Sequence, residues 1–460
     1  MEKIVKNFTN FELDNNLFDK NLSSMKFWSY VRFSIFWSFY TEDYSDENKV
    51  SKTNLYLKYM KAFFQSLKNF YKIRNKNYDF IFINTSRRTN KLDCKDVDIF
   101  TYPVIKYLND KYNILLLDIS KFSKSANYPC DFVPMRFSQI FMKIFRFFHK
   151  FNKKEKIYLK ALEDSLNELF KTQVNVSRII MNEIIRHKIE FKLYKIIFKI
   201  LSPKILFYTN NGVMGGIIEA ANDLGIKTVE LQHGGISHLH IAYNSEDFLP
   251  KTTPNFVFSF GEYWHDAIKF ESKKLSIGFP YMELTEKSLP QDISREKKSI
   301  LVISNGKLGR HGLVEITNEI LSSWKSCKVY YKLKPSEYND WKKNYPKSFQ
   351  NKSNLFIIDN NIKPLNYFYK KATYLIGSGS TCIYEGLANK MIVFAIKSLY
   401  YSDAKKLIDS HSIFLASNAC EILTKIKDKE IPVGQVKKDS LFKADTHDNI
   451  LYHVQELLSK

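Results

Sequence analysis

The chain has 460 residues, 44% of them hydrophobic, so it can bury more than one core, and its length predicts two domains. Its formal net charge is +22, from lysine and arginine spread over the whole sequence, which favours acidic partners without selecting one. The five cysteines are scattered without Cys-x-x-Cys spacing, which argues against a disulfide framework and a zinc site and indicates a reducing compartment.

The first residues, "MEKIVKNFTNFELDNN", lack the apolar segment of a signal peptide, and no later run reaches about 18 uninterrupted apolar residues. We therefore expect a cytoplasmic protein, and its charge leaves open a peripheral position on the inner face of the cell membrane. The many Phe and Tyr residues form no recognisable RNA- or DNA-binding signature, so we expect no nucleic-acid partner.

Two stretches near the N-terminus carry apolar side chains at helical spacing. Residues 26–40, "KFWSYVRFSIFWSFY", are aromatic on nearly every side, and residues 135–154, "MRFSQIFMKIFRFFHKFNKK", mix Phe and Ile with Arg and Lys. Both are predicted to be helices. The second is basic and amphipathic enough to lie on an anionic leaflet, and packing into the N-terminal domain is the alternative.

Strands and helices then alternate along the chain. "YDFIFIN", "YNILLLDIS", "KILFYTNNG", "IKTVELQHGG" and "PNFVFSF" are strand-like, with helical segments or glycine breaks between them. This alternation predicts βαβ units on a parallel sheet.

The charged stretch 283–298 is predicted to be a linker. After it, "SILVISNG", "CKVYYKLKP", "NLFIIDN" and "TYLIGSGST" restart the pattern. We predict an N-terminal domain over 1–285, a nucleotide-binding domain over 286–440, and a C-terminal helix over 441–460 that packs back on the N-terminal domain.

Ligands of open parallel sheets bind beyond the carboxyl ends of the strands. In the C-terminal half these positions hold hydroxyl and ammonium groups, which suit an anion. The candidate residues are Ser304, Lys332, Lys334, Ser336 and Ser378.

The turn "GSGST" before a short helix is the strongest local signal. Its glycines would let the backbone approach a phosphate at the helix N-terminus, with Ser380 and Thr381 beside it. Glu385 lies one turn further on and can accept hydrogen bonds from ribose hydroxyls, so a nucleotide fits better than free phosphate. The alternative is a capping box in which Ser380 or Thr381 caps the helix and Glu385 completes the box. The sequence does not match the P-loop pattern.

In the N-terminal half, the strand-like "VELQHGG" ends with Gln232 and His233, and Asn210 follows the strand-like "KILFYT". Asn210 and Gln232 are candidate substrate-binding residues. An imidazole can act as a general base near neutral pH, so His233 is the candidate catalytic residue. The histidines that follow have no supporting ligands at metal-binding spacing, and we predict no metal site.

These stretches resemble the GT-B glycosyltransferases of bacterial capsule and lipopolysaccharide biosynthesis, in particular the capsular Kdo transferases and the sialyl- and polysialyltransferases. The resemblance spans about residues 205–400 and rests on "QHG", "GFP", Ser304, "YKLKPSEYNDW" and "GSGSTCIYEGL". It implies an α/β GT-B fold with two doubly wound, Rossmann-like domains facing a cleft, preceded here by extra helices.

The resemblance also implies metal-independent inverting transfer without a cofactor, from a nucleotide sugar to a glycan or glycolipid. A CMP-activated acidic sugar is the favoured donor. Lys334 and the following proline stand where that group has a His-Pro pair that contacts the donor phosphate. The group often has an acidic pair before a glycine as general base, whereas this chain has Asn210 and a second asparagine. His233 is the first substitute for the base, followed by Glu230 or an acid from residues 93–98.

Other functions fit the same residues. A UDP-sugar glycosyltransferase and a UDP-hexosamine 2-epimerase share the two-domain architecture and the small-residue turn followed by glutamate. A scaffold that binds a membrane surface or a polyanion is the non-enzyme alternative, because the expected carboxylate is missing and the charge is high.

Overall fold

The computed structural model describes residues 1–39, 63–64, 66–84, 88–92, 95–118, 141–142, 145–146, 149–306, 310–397 and 401–459. The strands in this part of the chain are β1 (Asn21–Leu22), β2 (Met25–Lys26), β3 (Phe80–Asn84), β4 (Arg88–Leu92), β5 (Lys95–Asp98), β6 (Ile114–Asp118), β7 (Ile205–Tyr208), β8 (Lys227–Leu231), β9 (Phe256–Ser259), β10 (Lys273–Ser276), β11 (Glu296–Ile303), β12 (Lys328–Lys332), β13 (Leu355–Ile358), β14 (Ala372–Gly377), β15 (Ile392–Ile396) and β16 (Phe414–Ala416). The α-helices are α1 (Glu2–Asp14), α2 (Trp28–Ser38), α3 (Thr101–Leu108), α4 (Lys153–Phe170), α5 (Val176–Leu201), α6 (Gly215–Asp223), α7 (Pro280–Lys287), α8 (Arg310–Ser323), α9 (Trp341–Asn344), α10 (Lys347–Gln350), α11 (Leu365–Lys371), α12 (Thr381–Ala388), α13 (Lys405–Asp409), α14 (Ala419–Lys427), α15 (Lys438–Leu441) and α16 (Thr446–Ser459).

The N-terminal helices share one apolar cluster. Phe8 of α1, Trp28 of α2, Leu162 of α4 and Ile180 of α5 are all buried in it. The predicted helix over residues 26–40 is observed as α2. Most of the helix predicted over 135–154 lies outside the described residues, and α4 begins at Lys153.

The N-terminal sheet has six parallel strands in the order β10-β9-β8-β7-β3-β6. Its predicted alternation of strands and helices is confirmed. The strand order reverses between β3 and β7, which end at Asn84 and Tyr208. Ligands of doubly wound sheets bind at such a reversal, because the helices that follow the two strands cover opposite faces and leave a crevice.

The C-terminal sheet also has six parallel strands, in the order β13-β12-β11-β14-β15-β16. This is the order of a Rossmann-type sheet, and the reversal falls between β11 and β14. Ser304 follows β11 and Ser378 follows β14. The fold therefore places two of the predicted site residues at the crevice of this sheet.

The stretch 283–298, predicted to be a linker, is only partly irregular. Helix α7 runs to Lys287 and β11 begins at Glu296. Asn366 from α11 holds α7 in place, because its amide nitrogen donates to the Met282 carbonyl and to the Thr285 hydroxyl, both at 2.9 Å. Buried polar contacts of this kind are not visible in a local reading of composition.

The C-terminal residues return to the N-terminal sheet. Ile450, Val454 and Leu457 of α16 are buried in the cluster that contains Phe80 and Phe258. The approach to α16 needs two glycines, because a Cβ at Gly278 would collide with the Lys443 carbonyl and one at Gly261 would collide with the Ser440 carbonyl. Gly278 also has φ of +87°, which favours glycine.

Among the residues that the structure describes, no helix combines the length and the apolar character needed to cross a bilayer.

Candidate functional site

The turns after β11 and β14 meet at the reversal of the C-terminal sheet. The Asn305 side-chain amide donates to the Ser378 hydroxyl, and Ser378 is 2% exposed. The Gly306 amide donates to the Ser304 hydroxyl at 3.1 Å. These bonds join the two strand ends into one polar surface, which we call the cradle and define as residues 304–306, 334–337 and 378–381.

Glu337 ties the turn after β12 to the same surface. Its carboxylate accepts hydrogen bonds from Ser304 Oγ at 2.7 Å, from Tyr345 Oη at 2.8 Å and from the Lys334 backbone N–H at 3.0 Å. It is 5% exposed, and these three donors compensate for the loss of its hydration. This role was not predicted, because "KPSE" is typical of a solvent-exposed turn and the partners of Glu337 come from distant elements.

Lys334 and Ser336 lie on the outer side of this turn and are exposed. The Lys334 side chain runs beside Gly306, where an added Cβ would lie 3.5 Å from its Cδ. Lys334 forms no ion pair within the described part of the chain. An exposed, unneutralised ammonium beside a strand-end turn is suited to meeting an anionic ligand.

Lys332 has a different position from Lys334. Its ammonium is buried and donates to the Asn360 carbonyl at 3.1 Å and the Asn361 side-chain oxygen at 3.3 Å. Burial lowers its pKa to about 8, and the Cys382 thiol and the Asp359 carboxylate act against that change. Lys332 thus anchors the loop at residues 360–361, and its charge lies near the first turn of α12.

Helix α12 begins at Thr381, one residue before the predicted start. The Ser380 hydroxyl caps it by accepting a hydrogen bond from the Cys382 amide at 3.4 Å. The Thr381 hydroxyl points to the other domain, where it accepts a hydrogen bond from the Gly235 amide at 2.8 Å. This bond brings the loop after β8 directly against the turn after β14.

Glu385 does not complete a capping box. Its carboxylate accepts a hydrogen bond from the Tyr369 hydroxyl at 3.0 Å, and no other hydrogen bond to it is found among the described residues. Burial raises the pKa of Glu385 to about 7, against the effect of the Tyr369 bond. A half-buried carboxylate with one tyrosine partner retains oxygen lone pairs for a ligand. Tyr369 comes from α11, so no local pattern could have paired it with Glu385.

In the N-terminal domain, Gln232 shapes the loop after β8. Its side-chain oxygen accepts a hydrogen bond from the Phe260 amide, and its nitrogen donates to the Gly234 carbonyl, both at 2.7 Å. Because Gln232 is 2% exposed and both ends of its amide are used, it positions the loop. His233 follows, half-buried, with its ring edge-on to Phe100 at 6.1 Å between centroids.

Asn210 lies at the reversal of the N-terminal sheet, directly beyond β7. Its φ of +67° is left-handed, a conformation that asparagine tolerates better than most residues. The Thr209 hydroxyl beside it is fully buried and has no hydrogen-bond partner among the described residues. Residues 210 and 211, which correspond to the acidic pair of the resembled group, are both asparagine.

Two of the acids considered as substitute bases have structural partners. Glu230 is fully buried and accepts a hydrogen bond from the Tyr243 hydroxyl at 2.5 Å. Asp98 accepts the amides of Phe100 and Thr101, both at 2.9 Å, and so caps α3. Asp93 and the side chain of Asp96 lie outside what the structure describes. His233 stays a candidate base, and it is next to the loop whose Gly235 amide contacts the C-terminal domain.

The wall behind this junction is aromatic. The Trp264 and Tyr384 rings lie 4.6 Å apart between centroids, and Tyr384 Oη donates to the Asp403 carbonyl at 2.9 Å. The Ser237 hydroxyl donates to the Asp403 carboxylate at 3.3 Å, and burial raises the pKa of that carboxyl to about 6. These contacts hold the loop after β8 and helix α12 together on one side of the crevice.

No protein-family model matches the chain, and no curated protein matches it. Several solved structures are similar in fold. The UDP-GlcNAc 2-epimerase of Methanocaldococcus jannaschii, in complex with UDP-GlcNAc and UDP, is 10% identical with a TM-score of 0.50, and the match covers 82% of this chain and 99% of that one. MnaA of S. aureus with UDP is 8% identical with a TM-score of 0.52, covering 83% and 97%. A putative UDP-N-acetylglucosamine 2-epimerase of Listeria monocytogenes is 10% identical with a TM-score of 0.52, covering 83% and 97%.

At such low identity the similarity shows the fold alone. The fold is the predicted two-domain, GT-B-like architecture, so that expectation is confirmed. The narrower resemblance to capsular Kdo and sialyltransferases finds no support in these structures.

Proposed function

We propose that this protein is an enzyme of nucleotide-sugar chemistry that binds a UDP-sugar in the crevice between its two sheets. The observation that carries the proposal is the position of Glu385. Its half-buried carboxylate lies one turn into α12, is held by Tyr369, and can accept hydrogen bonds from a ribose. A carboxylate would repel a phosphate, so this placement favours a nucleoside over a simple anion.

The diphosphate would lie over the cradle. The first turn of α12 would supply backbone N–H groups and the positive end of the helix dipole, and the half-buried Ser380 would supply a hydroxyl. Ser378 is buried and positions the Asn305 side chain. Lys334 supplies the exposed ammonium that neutralises the phosphate charge. All of these groups come from the C-terminal domain, which would then hold most of the donor.

UDP replaces the CMP-activated acidic sugar as the favoured donor. No contact of the cradle favours cytidine or an acidic sugar, and the similar solved structures were determined with UDP or as enzymes of UDP-GlcNAc. Those structures share only the fold with this chain, so the choice of UDP is a proposal that they support.

As the reaction we propose inverting transfer of the sugar to a hydroxyl of a glycan or glycolipid. The acceptor oxygen would give its proton to His233 and form the new bond to the anomeric carbon. The bond from that carbon to the UDP oxygen would break, and its electron pair would leave with UDP. Lys334 and the α12 N-terminus would stabilise the departing phosphate without a metal ion. A lipid-linked acceptor would bring the enzyme to the inner face of the cell membrane.

A UDP-hexosamine 2-epimerase is the second candidate, favoured by the fold of the similar structures. Epimerisation needs no acceptor, and it requires a proton to leave C2 of the sugar and another to return from the opposite face. Solvent deuterium would therefore appear at C2 of a UDP-sugar incubated with the enzyme alone. Transfer predicts no such exchange.

A thermal-shift screen with UDP, CDP, CMP and GDP tests the binding step, because a ligand that binds only the native state raises the melting temperature. We expect UDP to give the largest shift. Lys334→Ala should reduce the shift, whereas Lys347→Ala, at another exposed lysine of the same domain, should not. A shift with CMP alone would restore the first donor assignment, and no shift with any nucleotide would contradict the proposed function.

A further inference from the structure

A surface on the N-terminal domain, remote from the cradle in the fold, combines exposed apolar side chains with basic ones that form no ion pair among the described residues. It is formed by the helical residues 66–73, which precede β3, and by the C-terminal half of α5, which precedes β7. Both segments lead into the starts of their strands. They therefore lie toward the amino edge of the sheet, whereas the crevice lies at the carboxyl edge.

Both segments bury one face in the same apolar cluster. Ile73, together with Phe63 and Phe70, packs into the cluster that contains Ile197 and Phe198 of α5. These side chains attach both helices to the core of the N-terminal domain. Apolar side chains on the outer faces of the helices are therefore not needed for that packing.

The outer face of residues 64–71 is apolar. Phe64 is 58% exposed, Leu67 is 47% exposed and Tyr71 is 65% exposed. These residues are spaced i, i+3 and i+7, so they form one stripe along the helix. On α5, Ile196 is 58% exposed and Ile200 is 45% exposed, at a spacing of four. Clustered large apolar side chains in water are unusual and mark a contact surface.

Lysines and an arginine border both stripes. Lys68, Lys72 and Arg74 are exposed on the first segment, and Lys192 and Lys199 are exposed on α5. Within the described part of the chain none of these five forms an ion pair. Nearby lysines do have acidic partners, since Lys195 of α5 pairs with Asp223 and Lys204, just beyond α5, pairs with Asp79. Arg74 lies over the Tyr71 ring, 4.0 Å from its centroid, which leaves the lysine charges as the ones available to an external partner.

We propose that this amphipathic surface, formed by residues 64, 66–74 and 192–200, docks on a bilayer that contains anionic lipids. Exposed Phe, Leu, Tyr and Ile side chains suit the boundary between headgroups and acyl chains, and the basic residues suit anionic headgroups. A soluble polyanion would be attracted by the same charges but gives no reason for the apolar stripes. The inference goes beyond the proposed function and does not depend on the cradle.

Co-sedimentation of the full chain with vesicles tests it. One set contains phosphatidylcholine alone and the other contains phosphatidylcholine mixed with phosphatidylglycerol. We expect binding to the mixed vesicles only. Ile196→Glu/Ile200→Glu should reduce this binding by about tenfold or more. Ile431→Glu/Val433→Glu, at residues 72% and 83% exposed elsewhere, should leave it unchanged.

The charges are tested by Lys192→Gln/Lys199→Gln against the matched pair Lys297→Gln/Lys298→Gln, also exposed. Each lysine contributes about 1 kcal/mol at an anionic surface, so the first pair should lose binding by about tenfold or more and the second should lose less. Equal loss in both pairs, equal binding to neutral vesicles, or normal binding by the Ile196→Glu/Ile200→Glu variant would overturn the proposal. If the Ile196→Glu/Ile200→Glu variant binds vesicles normally and soluble polyphosphate releases it from them, the partner of this surface is a polyanion.

The UDP thermal shift of each variant separates this proposal from the proposed function. The surface variants should keep the shift of the wild-type protein. Surface variants that lose vesicle binding but keep a normal UDP shift would support the membrane-docking proposal. A wild-type protein that binds vesicles but shows no thermal shift with any nucleotide would support membrane docking and refute the nucleotide site.

Discussion

At the carboxyl edge of the C-terminal sheet, polar side chains bond to one another, Lys334 is exposed, and the Glu385 carboxylate has one hydrogen-bond partner among the described residues. At the same edge of the N-terminal sheet, two acids have structural partners, since Glu230 is buried against Tyr243 and Asp98 caps α3. The first arrangement suits the charged ligand that we propose, and the second includes the proposed base, His233. Under this proposal, binding and proton transfer are divided between the domains.

The largest expected effect would break the C-terminal side of this comparison. Glu337→Ala removes the acceptor of three hydrogen bonds, two of them buried, and takes this acceptor from the buried Ser304 and Tyr345 hydroxyls. At about 1–3 kcal/mol per unsatisfied group, the free energy of unfolding should fall by about 4 kcal/mol. Urea unfolding measures this. Exposed Glu319→Ala should change it by less than about 0.5 kcal/mol. Similar values for both variants would mean that the cradle is not held together by Glu337.

A pH series sharpens the comparison at two matched carboxylates, Glu385 in the C-terminal domain and Glu190 in the N-terminal domain. Burial raises the pKa of each to about 7 from 4.5. The folded protein therefore favours their protonated forms, and this contribution to stability is complete below about pH 4.5 and is lost as the pH rises through about 7. The loss should be up to about 3 kcal/mol per group.

Glu385→Gln and Glu190→Gln should each remove the contribution of one carboxyl to the pH dependence of the free energy of unfolding, which urea unfolding measures. Saturating UDP should offset the loss at Glu385, because ribose hydroxyls would stabilise the carboxylate, and it should not affect the loss at Glu190. A pH dependence that neither variant changes would show that these carboxyls are not the groups that titrate.

Lys334→Ala should weaken UDP binding by about tenfold, the effect of losing one charge-assisted contact. The loss should be smaller for uridine, which carries no phosphate, and smaller at high salt, which screens exposed charges. Calorimetric titration of UDP and uridine measures both. An equal loss for the two ligands would place Lys334 away from the phosphates.

The smallest effect concerns the bond between the domains. Thr381→Val removes the acceptor of the Gly235 amide and should lower the free energy of unfolding by about 1 kcal/mol. Thr381→Ser keeps the hydroxyl and should retain most of the stability. Urea unfolding of the two variants distinguishes the hydrogen bond from the packing of the side chain.

The sequence allowed the two parallel sheets to be predicted, because apolar strand runs alternate with helical segments and end in Ser, Gly and Lys. It also predicted the strand-end turns around Ser304 and Ser378, since such turns follow from the position of each strand end. It did not indicate which residues hold the turns together. Glu337, Tyr345 and Tyr369 act through contacts between elements distant in sequence.

Local sequence patterns do not show which candidate residues are buried and which are exposed. Lys332 and Lys334 are two residues apart on one strand end, yet the first is buried against the loop at 360–361 and the second is exposed. Gln232 looked like a ligand contact, but both ends of its amide are used by the backbone. The burial of a side chain depends on the packing of the whole domain, so it cannot be predicted from local sequence spacing.

Calorimetric titration of UDP into the wild-type protein, Glu385→Gln and Glu190→Gln, at a pH above the raised pKa of both carboxyls, tests the central claim most directly. The account predicts that the wild-type protein binds UDP, that Glu385→Gln weakens binding by about tenfold or more, and that Glu190→Gln leaves it unchanged. Absence of UDP binding in the wild-type protein, or equal affinity in all three, would contradict a nucleotide site at the cradle.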